Sequence, residues 1–211
     1  MSRKQDENVE AQVGEFMDRH LWDRTRYDYV RVKDRRLQCL GCDLSAGGYL
    51  IDEKVKYWNC LNRMLEYPSF EILTDDRNGN RMEGWFVNPK NVTNYYMFIS
   101  IGTDETDYSR IAYDTIRDLS VLMVSKKSVY GFLSDTGCPV ASVERDAVEL
   151  SQDDFVMDEK PRRRYGHGQY HLTYSKNLRE RPVNLVVPKQ TLLRLENVEQ
   201  FVVSRDGVSR L

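Results

Sequence analysis

The sequence predicts an α/β fold built on a mixed β-sheet flanked by helices. Three observations carry that expectation. Residues 5–24 place Val9, Val13, Phe16, Met17 and His20 at helical spacing. Short apolar runs separated by turn residues then follow one another as strands do. The run NYYMFISI at 94–101 is apolar throughout, as a strand buried on both faces requires.

Taken in order, Asp6 and Glu7 suit the start of the first helix, where the macrodipole favours acids. YDYVRVK at 27–33 alternates as a short strand. RLQCLGCDL at 36–44 reads as a second strand that ends near Asp43. The turn SAGG leads into a third strand at 49–57, so that 36–57 forms a hairpin. SFEILT at 69–74 is a strand, DDRNGN a turn, and RMEGWFV its returning arm. Strands are expected at 118–124 and 183–187, and helices at 126–134 and 189–196. The tail beyond 204 is polar and expected to fray. The chain reads as a single domain over 1–211, with a core at about 8–135 and a C-terminal elaboration at about 140–205.

A net charge of -2 excludes a protein that is basic overall, so any phosphate contact must come from a local patch. No apolar run approaches the roughly 20 residues of a membrane span. The start MSRKQDENVE is polar, unlike a secretory signal, and a cytoplasmic location is expected. Cys39 and Cys42 form one CxxC. A structural zinc site wants four ligands, so two small buried residues are the plainer reading. His167 and His171 lie four apart in the glycine-containing GHGQYH, not on a stable helix, and make a poor zinc pair. His20 is expected to pack in the core.

The charged triplet Asp52-Glu53-Lys54 interrupts an apolar strand. Side chains alternate, so Asp52 and Lys54 share one face while Ile51, Glu53 and Val55 share the other. A hairpin would bring Asp43 near Asp52. Two carboxylates and a lysine would then converge, as metal-assisted hydrolysis of a phosphodiester requires. Against this stands a plain ion pair at a sheet edge, worth little.

GCD at 41–43, a hairpin and DEK at 52–54 together resemble the PD-(D/E)XK nuclease superfamily, with its restriction-endonuclease-like core. The likeness spans roughly residues 8–101. Cys42 stands where the superfamily usually has proline, and Asp52 where glutamate is commoner. The resemblance implies a nuclease using Mg²⁺ or Mn²⁺. Asp43 and Asp52 would bind metal, Lys54 would assist the attacking water, and Glu10 on the preceding helix would support them. Glu15 is the reserve for Glu10, and Glu71 a further candidate ligand. The implied substrate is nucleic acid, with DNA favoured over RNA. Many superfamily members are dimers, so a homodimer is admitted. The basic-aromatic stretch at 160–181, with Arg162, Arg163, Arg164 and Lys176, is expected to hold the backbone. The alternative is a catalytically inactive binding or assembly protein that keeps the fold.

Overall fold

A computed structural model describes residues 3–26, 28–56, 65–152, 162–165 and 169–211, with the side chains of 3–6, 56 and 162–165 outside that description. In chain order the elements are α1 (Arg3–His20), β1 (Tyr29–Arg31), α2 (Arg35–Cys39), β2 (Leu44–Ala46), β3 (Tyr49–Lys56), β4 (Ser69–Asp75), β5 (Arg81–Glu83), β6 (Tyr95–Thr103) and β7 (Ile116–Ser125). Then come α3 (Lys126–Asp135), α4 (Val140–Gln152), β8 (Arg162–Tyr165), β9 (Tyr170–Tyr174), β10 (Val183–Val186), α5 (Lys189–Leu192), β11 (Val198–Ser204) and β12 (Gly207–Arg210). The fold is α/β, with a mixed sheet and helices. The chain divides into two compact units.

The first unit comprises 1–65, 93–125 and 197–211. It holds a seven-stranded sheet in the order β1-β2-β3-β6-β7-β11-β12. β3 and β6 run parallel, and the other neighbours are antiparallel. The helical stripe falls as its spacing predicts. Val9, Val13, Phe16 and Met17 are buried together with Leu44, Ile51, Met97, Ile99 and Val203. Each such side chain contributes about 1.5–3 kcal/mol by leaving water. The run at 94–101 becomes β6, buried on both faces. His20 is 8% exposed and meets the Tyr113 hydroxyl at 2.8 Å through Nε2, a packed histidine.

The second unit comprises 66–92 and 126–196. Its five-stranded sheet runs β5-β4-β10-β9-β8. α4 packs on β4, β8 and β9. Phe86 meets Phe70 at 4.8 Å and Tyr130 at 5.1 Å between ring centres. Asp75, almost wholly buried, is held between Arg81 at 2.9 Å and Arg181 at 2.5 Å.

Several local expectations are corrected. Residues 36–44 are not one strand: 35–39 form α2, and the strand is confined to Leu44–Ala46. The Asp34 side chain caps α2 by accepting from the Arg36 amide at 2.7 Å, and Gly41 at φ 80° turns the chain out of it. The CxxC therefore spans a helix end and a turn. The arm RMEGWFV pairs only over Arg81–Glu83, after which the chain turns at Gly84. The expected helix at 189–196 stops at Leu192. The tail does not fray throughout, because Gly207–Arg210 pairs with β11 as an edge strand.

Candidate functional site

The hairpin turn sets the site. Gly47 and Gly48 both have positive φ, at 57° and 83°, which a tight two-residue hairpin demands and glycine adopts freely. The turn pairs Leu44 with Ile51. Asp43 then sits at the open end of the hairpin, opposite the start of the charged triplet. Its backbone N–H donates to the Ile51 carbonyl at 3.0 Å, and its Oδ2 accepts from the Glu53 amide at 2.9 Å. β2 pairs with β3 only over 49–51, so Glu53 is capped on that side by a carboxylate rather than by a strand.

Asp52 is 2% exposed. Its Oδ1 lies 2.8 Å from Lys54 Nζ, and its Oδ2 receives no donor. Burial raises the Asp52 pKa to about 7. The Lys54 ammonium opposes that rise, and the Asp43 charge adds to it. The structure thus brings Asp43, Asp52 and Lys54 together. Glu10 is exposed on α1 and lines the same cavity, of about 390 Å³, with Gln38 and Val32. Glu15 instead pairs with Arg19 at 2.6 Å on the surface of α1.

One part of the site escaped the sequence reading. Arg31 lies level with Leu44, and Leu44 with Ile51, across three strands. This places Arg31 on the core face of the sheet beside Glu53. Its Nη1 donates to Glu53 Oε2, its Nε to Asp18 Oδ1 at 2.8 Å, and its Nη2 to the Gly14 carbonyl at 3.1 Å. Burial raises Glu53 and Arg31 opposes it. Burial also pulls Arg31 down, but Glu53 and then Asp18 outweigh it, so its pKa is raised. A charge on the apolar face of a strand requires a partner. Glu53 between Ile51 and Val55 was the available signal.

Most of the other candidates belong to the second unit. Arg162, Arg163 and Arg164 form β8 of the second unit, their side chains outside the described set. Lys176 is exposed in the turn after β9. Glu71 belongs to β4 of the second unit. His167 lies outside the described residues. Cys42 is buried, with its thiol pushed up by burial and then by Asp43.

Among the described residues no group of three or more His, Cys, Asp or Glu is placed to hold a metal ion. A hydrated hard cation such as Mg²⁺ keeps several waters and needs only one or two carboxylates, which Asp43 and Asp52 would supply. The buried Asp52 oxygen without a donor is a suitable ligand atom for it. Among the described residues no helix is long and apolar enough to cross a membrane. Compared with known proteins, the chain matches no family model, no curated protein and no solved structure.

Proposed function

We propose that this chain is a Mg²⁺- or Mn²⁺-dependent nuclease-like phosphodiesterase with a PD-(D/E)XK core, acting on nucleic acid and on DNA before RNA. The observation that carries the reading is the convergence of Asp43, Asp52 and Lys54 on one cavity, with a buried Asp52 oxygen that no donor satisfies. Asp43 and Asp52 would hold the ion, which when bound polarises a phosphoryl oxygen and acidifies a water. Lys54 neutralises charge building on the phosphate or orients the attacking water. Glu10, at the cavity rim, accepts a proton or a water hydrogen bond. The Glu53 amide fixes the Asp43 carboxylate.

The test is cleavage of an oligonucleotide and of bis(4-nitrophenyl) phosphate with Mg²⁺ or Mn²⁺, wild type beside Lys54→Ala, with calorimetric metal titration. The expected result is metal-dependent cleavage that falls on the order of 100-fold or more in the variant, the scale of losing one charge-stabilising group. A second reading, an inactive binding or assembly protein, is favoured by one feature. Lys54 already sits at 2.8 Å on Asp52, so half of the acid pair is satisfied without any ion. Folded wild type that neither binds metal nor cleaves selects that reading.

A further inference from the structure

The cavity is acidic, yet a nucleic-acid backbone is a polyanion. Something beside the acids must hold it. The stretch RVKDRR at 31–36 carries four basic residues and one acid, in a chain whose net charge is -2. Its acid, Asp34, is spent capping the Arg36 amide. Arg31 is committed to Glu53 and Asp18. Lys33, Arg35 and Arg36 are different. All three are exposed, and their side chains make no hydrogen bond or ion pair among the described residues. Elsewhere in the same unit, Arg19, Arg110, Arg117 and Arg210 each meet a carboxylate.

The position of these three residues follows from the backbone. Val32 and Gln38 both line the cavity, so the segment between them crosses its rim. Arg35 and Gln38 are three apart on α2 and therefore share a face. Lys33 directly follows the cavity-lining Val32, and Arg36 lies about 100° further round α2 from Arg35.

We infer that Lys33, Arg35 and Arg36 form a phosphate-backbone track beside the cavity, and that this surface takes nucleic acid. The inference deepens the nuclease reading by naming where its substrate is held. It names for that role a segment of the same unit as the carboxylates.

The test is fluorescence anisotropy with a labelled 20-nucleotide single strand, in EDTA so that no cleavage intervenes, across a salt series. Three phosphate contacts contribute about 2 to the log–log salt slope. Lys33→Ala/Arg35→Ala/Arg36→Ala should therefore bind about 100-fold more weakly at 0.1 M salt, with a slope lower by about 2. Lys176→Ala/Arg179→Ala, in the second unit, should bind as wild type does. Circular dichroism and thermal melting check the fold, and Arg35→Glu alone serves where the triple variant is unstable. Three results overturn the inference: equal binding by the triple variant, loss carried by the Lys176/Arg179 pair instead, or wild type that binds phosphatidylserine vesicles and not the oligonucleotide. Hydrolysis of bis(4-nitrophenyl) phosphate by wild type reports separately on the nuclease reading. Binding lost in the triple variant, with wild type inert on that small diester, keeps the track and sinks the nuclease.

Discussion

Arg31→Met isolates the buried ion pair beneath the site. The Arg31 side chain is 25% exposed and that of Glu53 10%. Removing one member of a fully buried pair costs about 3–5 kcal/mol, because the other charge is left uncompensated. The partial exposure of Arg31 places this case at the lower end, at about 3 kcal/mol near pH 8. The cost depends on pH. Glu53 already has a raised pKa in the folded state, and loss of Arg31 raises it further. A carboxyl whose folded pKa lies above its unfolded value loses stability as pH rises between the two. The variant should therefore recover about half or more of its deficit at pH 5, where Glu53 can take a proton. Adding Glu53→Gln removes the more buried of the two carboxylates that Arg31 held, Asp18 being the other, and should recover about 1–2 kcal/mol of the deficit. The assay is urea unfolding followed by circular dichroism and tryptophan fluorescence at pH 5 and pH 8. A single variant within about 0.5 kcal/mol of wild type at pH 8 refutes the reasoning, as does a double variant no better than the single.

Two further outcomes are expected. Asp52 has a folded pKa of about 7 against an ordinary value of 3.8, so it erodes wild-type stability as pH rises from about 4 to 7. Asp52→Asn should lose less stability than wild type between pH 4.5 and pH 8, by about 3 kcal/mol, and parallel unfolding curves would contradict this. Gly84→Ala and Gly102→Ala should differ in thermal melting. A Cβ at Gly84 meets the Glu71 backbone, which cannot step aside, whereas at Gly102 it meets the Asp118 side chain, which can rotate. The first should cost about 2–3 kcal/mol and the second about 1 or less, and equal losses would refute the distinction.

What the sequence made legible was local. The α1 stripe follows from helical spacing alone, and β6 from an unbroken apolar run. Asp43, Asp52 and Lys54 were within reach because a two-glycine turn converts nine residues of separation into a cross-strand approach. α2 was not legible. Leu37, Cys39, Leu40 and Cys42 form an apolar run too short to tell strand from helix by period. A side-chain cap at Asp34 and a positive φ at Gly41 decided it. The division into two units was hidden for another reason. β11 and β12 return from the chain's end to pair beyond β7, a long-range event that no window of sequence contains.

The Arg31–Glu53 pair was invisible because it needs the register of three strands at once, and it bears on the site directly. Glu53 holds Arg31 with its carboxylate and holds Asp43 with its backbone amide. The acid-acid-lysine triplet is thus split by the pleat into two tasks. Glu53 faces the core and fixes the sheet, while Asp52 and Lys54 face the other way, where the proposed chemistry would take place. Because one residue serves both sides, the tasks are coupled. A change at Arg31 that lets Glu53 shift also moves the amide that orients Asp43. The same Arg31→Met variant should therefore weaken metal binding even at pH 5, where much of its stability has returned. If metal affinity stays at the wild-type value there, the pair supports the sheet and nothing more.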